Sequence, residues 1–310
     1  MPSLTKTKAA FDSIILLGAT ATGKTGLGVA LARKLNGEII SADSRQVYRG
    51  LDIGSGKDIE EYTVNGETTP YHLIDCMEIN EEFNVFEFQK RAYALIEEIQ
   101  SRGNVPIIVG GTGLYLDSLL NGYRMVEVPE DAALRESLFS LSQEELVAHL
   151  ITLKGELHNN TDTEDRDRLL RAIEIETYTK ENPPEATPTL NPLVLGLQYP
   201  RPELHKRIKN RLIERMDEGM IAEVEALLAE GVSQERMHML GLEYRFVAGF
   251  LRGTIKNQND LLQKLLPAIK NFAKRQETWF RRMEKKRVKI HWLDTPDYKK
   301  ALAIFKRERL

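Results

Sequence analysis

Along the chain, short unbroken apolar runs alternate with stretches whose apolar positions recur every three or four residues. SIILLG (13–18), EIISAD (38–43), PIIVGG (106–111) and LVLGLQY (193–199) are of the first kind. Each is short, β-branched and bounded by Gly, Pro or Asn, which predicts strands buried on both faces. HLID (72–75) and KIHWLD (289–294) are further strand candidates. Helical spacing fills residues 24–35, 84–101 and 203–230. Strands alternating with helices predict a mainly parallel sheet covered on both sides.

The pattern changes in the middle. From 125 to 181 only helical periodicity is found, in LSQEELVAHLITLKG and EDRDRLLRAIEIETYTK. NPPEATPTLNP (182–192) then interrupts it with four prolines. An all-helical subdomain over 125–189, inserted into a core made of 1–124 and 190–310 and joined by a Pro-rich hinge, accounts for this change. After residue 200 the chain reads as almost entirely helical.

Composition sharpens the picture where it is uneven. The charged fraction is 29%, the hydrophobic fraction 42% and the net charge −3, as in an ordinary globular protein. No run of eighteen apolar residues is present and MPSLTKTKAAFD lacks a secretory core, so no membrane partner is expected. One cysteine, Cys76, excludes an internal disulfide and a cysteine zinc cluster, and fits a cytoplasmic protein. Residues 57–98 hold eleven acids and three bases, whereas 270–289 hold nine bases and two acids. In that basic run Phe272, Trp279 and Phe280 lie among Lys274, Arg275, Arg281 and Arg282, which makes a nucleic acid a candidate partner beside the plain reading of a solvated helix face. Trp279 suits a packed helix better than a base-stacking surface.

GATATGKT (18–25) carries the most specific local chemistry. The spacing G-x-x-x-x-G-K-T between a strand and a helix is a phosphate loop. Backbone amides from Gly18, Ala19, Thr20, Ala21, Thr22 and Gly23 wrap phosphate oxygens, Lys24 adds a full charge, and Thr25 offers its hydroxyl to a magnesium ion (Mg2+). The fold class expected is therefore α/β, with a P-loop-type parallel sheet core and a helical insertion. A P-loop kinase or ATPase also needs an acid for magnesium, a role open to Asp75 or Asp43. Ligands of open α/β sheets sit beyond the carboxyl ends of the strands, where the phosphate loop, Asp43 and Thr112 all fall. Two plainer roles stay open: Asp43 as a helix cap and Thr112 as part of a Gly-rich turn.

Several stretches resemble the tRNA dimethylallyltransferases (tRNA isopentenyltransferases) over nearly the whole chain. They are GATATGKT, GEIISADSRQVYRGLDIG (37–54), YHLID, PIIVGGTGLYLDSLLNG (106–122), RLLRAIEI (168–175), LHKRIKNRL (204–212) and KRQETWFRR (274–282). SADSRQVYRGLDIG and VGGTGLYL are far more specific than the phosphate loop. The resemblance implies that the loop holds the diphosphate of dimethylallyl diphosphate, and that the acceptor is N6 of the adenosine 3′-adjacent to the anticodon of tRNA. It implies Asp43 as general base, Thr112 in the reaction channel, and Lys24 and Arg211 on the diphosphate. Asp43, Ser44, Arg45 and Gln46 would grip a flipped-out adenosine, and Arg135, Arg168, Arg171 and Arg275 would contact the RNA. A monomer is expected.

The chain departs from the family pattern in three places. HNNTDTEDRD (158–167) replaces a D-P-x-x-A-x-x-I-H-x-N-D segment, GSGKD (54–58) replaces GTAKP, and MLGLEYRFVAGF (239–250) carries Leu-Glu-Tyr-Arg in place of Gly-Tyr-Lys-Glu. Rival readings are a P-loop kinase acting on a small acceptor, an adenylate isopentenyltransferase, and an RNA-binding paralogue without turnover.

Overall fold

The computed structural model describes residues 11–155 and 164–308. The strands are β1 (Ser13–Gly18), β2 (Gly37–Ala42), β3 (Thr63–Val64), β4 (Glu67–Thr68), β5 (Tyr71–His72), β6 (Val105–Gly110), β7 (Pro192–Leu197) and β8 (Ile290–Leu293). The helices up to residue 181 are α1 (Lys24–Leu35), α2 (Val85–Ser101), α3 (Gly113–Leu120), α4 (Ala132–Ser137), α5 (Gln143–Lys154) and α6 (Arg166–Glu181). Those after β7 are α7 (Arg201–Glu218), α8 (Met220–Ala229), α9 (Gln234–Met239), α10 (Leu242–Leu251), α11 (Gln258–Lys285) and α12 (Tyr298–Glu308).

Contacts divide the chain into two compact units. One comprises Met1–Gly122 with Thr189–Leu310, the other Tyr123–Pro188. The described residues of the first build a six-stranded sheet in the order β5-β2-β6-β1-β7-β8. Every pairing in it is parallel. The apolar runs explain this arrangement, because a strand with no polar face must be covered twice. Side chains alternate along β1: Ile15 and Leu17 join a core with α2, α3, α7, α8, α10 and α11 residues, while Ile14 and Leu16 join a second core with α1 and α12 residues. Full burial of each such side chain contributes about 1.5–3 kcal/mol relative to exposure. The second unit has its own small core of Leu138, Leu146, Leu150, Leu169 and Ile173 from α4, α5 and α6 and the turns beside them.

Three sequence expectations change. The periodic stretch 203–230 is two helices, since Gly219 adopts φ 108 between α7 and α8. HLID is strand only at its start, and Leu73 and Asp75 turn to φ 60 and φ 50. EIISAD ends as a strand at Ala42, which releases Asp43 into the following turn. Of the divergent segment 158–167, residues 158–163 lie outside the described residues. No helix among the described residues is long and apolar enough to cross a membrane.

Candidate active site

The phosphate loop leaves β1 and enters α1 within six residues. Gly18 is required by crowding: a methyl there would lie 2.7 Å from Thr22 Oγ1 and 3.2 Å from Leu197 Cβ. Ala21 and Gly23 adopt φ 61 and φ 80. Such left-handed turns swing successive amides toward one side, the geometry that binds anions. No side chain caps α1, so its first amides are not satisfied by a cap. The buried Thr22 hydroxyl donates to the Ala19 carbonyl at 2.9 Å and holds the loop's curve. From α11, Gln276 Oε1 accepts the Thr20 amide at 2.9 Å while Nε2 donates to the Gly111 carbonyl at 2.9 Å. One side chain thus ties the phosphate loop to the GGTG turn.

Beside the loop opens a cavity of about 450 Å³ lined by Lys24, Thr25, Arg207, Arg211 and Arg215, with Asp58, Glu60 and Glu61 among its acids. Lys24 Nζ is 3.5 Å from the Ala19 carbonyl. Burial lowers its ammonium to about 8, Asp43 opposes that, and Arg211 and Arg215 add to it. Asp43 and Asp58 offset the burial only in part. Arg211 is ion-paired with Asp58 and lies 3.5 Å from the Gly56 carbonyl. Arg207 donates to the Ala21 carbonyl at 2.8 Å and stacks 4.7 Å above the Tyr199 ring.

The turns after β2 and β6 meet at the same sheet edge. Asp43 Oδ1 accepts the Arg45 amide at 2.9 Å and the Gln46 amide at 3.4 Å. The plainer reading of Asp43 is thus present, as a turn cap, and both bonds fall on one oxygen. Thr112 Oγ1 accepts the Ser44 amide at 3.2 Å, and its own amide donates to the Ala42 carbonyl at 3.2 Å. Gln46 accepts from the Ser41 hydroxyl and donates to the Gly56 carbonyl, both at 2.9 Å. Arg45 packs against Gly241 and is pushed down by burial, with Asp43 and Tyr48 opposing. Asp75 is ion-paired with the buried Lys57, whose ammonium also reaches Asp52 at 2.6 Å. That pairing takes the acid a kinase reading would assign to magnesium.

The arginines read as RNA contacts fall into two groups. Glu174, its side chain 1% exposed, accepts from Arg135 at 2.6 and 3.1 Å and from Arg171 at 3.1 Å. Arg171 also donates to the Val128 carbonyl at 2.6 Å. Burial acts to raise the Glu174 carboxyl, and bonds from Arg135, the Asp131 amide and Arg171 outweigh it, leaving it lowered. Arg168, by contrast, is exposed, 3.5 Å from Asp165. Arg275 is exposed on α11 above the Phe272 ring at 5.7 Å. Trp279 is packed instead: a methyl on Gly113 would meet its indole at 2.4 Å.

Comparison with known proteins is decisive about descent. A family described as IPP transferase matches residues 46–283. A tRNA dimethylallyltransferase of Geotalea daltonii is 54% identical over 286 residues, 92% of this chain and 91% of that one. The chain belongs to the tRNA dimethylallyltransferase family. A second family member, from Syntrophotalea carbinolica, is 55% identical over 284 residues, 91% of this chain and 93% of that one. The full-length tRNA isopentenylpyrophosphate transferase of Bacillus halodurans matches in structure with a TM-score of 0.68 and 30% identity, covering 96% of this chain and 95% of that one.

Two departures from the family's sequence pattern meet in space. A methyl on Gly54 would lie 2.7 Å from the Tyr244 ring, and one on Gly56 would collide with Arg215 at 1.5 Å. Tyr244 donates to Glu223 at 2.8 Å, and Glu223 accepts the amides of Asp52, Ile53 and Gly54 at 3.1, 2.6 and 3.0 Å. GSGKD and LEYR are thus two sides of one contact. Sequence reading missed Gln276, Asp58 and Arg207. Gln276 carried a visible signal, a polar residue in register with the buried Ala273, Phe280 and Met283.

Proposed function

We propose that this protein transfers the dimethylallyl group of dimethylallyl diphosphate to N6 of the adenosine 3′-adjacent to the anticodon in tRNA, giving N6-isopentenyladenosine. The supporting observation is the convergence at one sheet edge of an amide-lined loop, a cavity that holds Lys24, Arg207, Arg211 and Arg215, and the Asp43–Thr112 turns. Lys24, Arg211 and the loop amides hold the diphosphate and stabilise the negative charge that grows on it as the allylic C–O bond breaks. The N6 nitrogen forms the new bond to that carbon, and its proton passes to the Asp43 carboxylate. The diphosphate leaves with the electron pair. Thr112 lines the channel, and Ser44, Arg45 and Gln46 hold the extruded base.

Among the described residues no group of three acids, histidines or cysteines is placed to hold a metal by itself, so magnesium would be held by the Thr25 hydroxyl together with the diphosphate's own oxygens. Bound beside Thr25, magnesium supplies positive charge to the diphosphate. Arg168 and Arg275 serve as phosphate contacts for the RNA, and Arg135 and Arg171 frame the helical tRNA-binding unit through Glu174. Labelled dimethylallyl diphosphate, given with tRNA lacking the modification, tests the reading. Isopentenyladenosine detected by mass in the digested tRNA is the expected result. Label transfer to AMP in preference to an anticodon stem-loop, or phosphate release from ATP without label transfer, would sink it.

A further inference from the structure

Arg215 has no part in the reading above, yet its placement is unusual. It sits one turn beyond Arg211 on α7 and lines the same cavity as Lys24. The residue is only 8% exposed, and its Nε finds no hydrogen-bond partner among the described residues. The nearest acid, Glu243, stands 3.9 Å from Nη1, an ion pair without a hydrogen bond. A buried guanidinium with an unmade bond is costly, and native structures keep such groups where something else completes them.

The backbone has been shaped around this side chain. Gly56 adopts φ 64, and a methyl there would lie 1.5 Å from Arg215 Nη2 and 2.6 Å from its Cζ. Only glycine leaves the slot in which the guanidinium lies, and the left-handed turn disfavours any other residue as well. Burial lowers the guanidinium, Arg211 adds to that, and Glu243 opposes it. Burial in turn raises the Glu243 carboxyl, with Arg215 opposing. Arg211 already has Asp58 as its partner. Arg215 has only Glu243 at 3.9 Å and an Nε that nothing among the described residues accepts, so its donors are the ones left for an anion entering the cavity.

We propose that Arg215 is a direct ligand of the diphosphate, a third side-chain cation beside Lys24 and Arg211, in a slot that Gly56 keeps open. The inference rests on the reading of this cavity as the diphosphate site. Its planar fork suits two phosphate oxygens at once, and Arg211 remains held by Asp58 until the ligand competes for it. Glu243 sits behind Arg215 as its loose ion-pair partner.

The test uses the full chain and inorganic pyrophosphate, titrated calorimetrically in magnesium buffer. The variant is Arg215→Met with Glu243→Gln, which removes the pair together and leaves no lone buried charge. Retaining a melting temperature within a few degrees of wild type, it should bind pyrophosphate about 10- to 100-fold more weakly, as expected for a lost charge-assisted contact. The KM for dimethylallyl diphosphate should rise with it while the KM for tRNA stays within about twofold, a split that a merely structural role would not produce. Arg215→Lys should recover part of the affinity, since it keeps the charge and loses the fork. Should the double variant not fold, Arg215→Lys alone decides, with pyrophosphate binding about three- to tenfold weaker expected. Unchanged pyrophosphate affinity in the folded variant overturns the role of Arg215 alone. Wild-type protein that binds no pyrophosphate overturns the diphosphate reading of the cavity, and with it this role.

Discussion

Arginines in the two units are treated differently by their surroundings. In the helical unit Arg135 and Arg171 commit their donors to Glu174 and to the carbonyl of Val128, so the charges are matched within the unit. In the α/β unit Arg211 and Arg215 converge with Lys24 on a cavity, with a single close acid on Arg211 and none within hydrogen-bond reach of Arg215. Residue type is the same in both. The number of partners already in place is what differs, and that number decides whether a cation is available to a ligand.

The sharpest break in the comparison is at Asp43, the carboxylate in the turn after β2. Asp43→Ala removes both the proposed base and the turn cap that holds the Arg45 and Gln46 amides. Asp43→Asn keeps an oxygen for those amides and removes only the basicity. Both should lower kcat by about 10²–10⁴-fold, with tRNA affinity nearly intact. An Asn variant working at the wild-type rate would show that capping, not proton transfer, is what Asp43 does.

Glu174 tests the other side. Alanine there strips the acceptor from Arg135, Arg171 and the Asp131 amide together. Both guanidiniums are more than a third exposed, so water can replace part of what is lost. The helical unit should lose about 2 kcal/mol of local stability. Hydrogen exchange over 123–188 should speed up accordingly, while pyrophosphate affinity in the α/β unit holds. Undisturbed exchange would reduce the Glu174 cluster to surface ion pairs.

These contrasts bear on how far the sequence could be read. The central strands are legible because a run such as IILL can be satisfied only between two layers, and α1 because the phosphate loop marks its start. Gly219 hides inside an otherwise continuous helical period, so α7 and α8 read as one. The place of the candidate site is equally visible, in GATATGKT, DSRQ and GGTG. Its wiring is not. Gln276 meets Thr20 across 256 residues of sequence, and Asp58 meets Arg211 across 153. Spacing along the chain carries no trace of such pairs. Arg135 and Arg171 show the converse, since their positions match an RNA-contact pattern while their donors are used at home.

Lys24 sharpens the comparison through pH. Its ammonium sits at about 8 without ligand, lowered chiefly by burial. An anion binds the charged form, so affinity is full below that value and falls as pH rises through it. One-proton linkage predicts about a tenfold weaker binding of dimethylallyl diphosphate at pH 9 than at pH 7.5. The ligand's own charge is constant over that range. Lys24→Met should bind more weakly at every pH and show no such slope. A slope that survives in this variant would assign the titration to another group.

The smallest effect is expected at Arg168, and it separates the two fates within one helix. Arg168 and Arg171 share α6, one turn apart, yet Arg168 is exposed beside Asp165 while Arg171 is bound to Glu174. An exposed ion pair contributes little, so Arg168→Ala should shift stability by no more than about 0.5 kcal/mol. If its guanidinium meets an RNA phosphate, tRNA affinity falls about threefold and the slope of log affinity against log salt drops by about 0.7–0.9. Arg171→Ala should do the reverse, loosening the helical unit with no direct change in the salt slope. Equal salt slopes for wild type and Arg168→Ala would remove Arg168 from the RNA contacts and leave α11, with Arg275, as the surface to probe next.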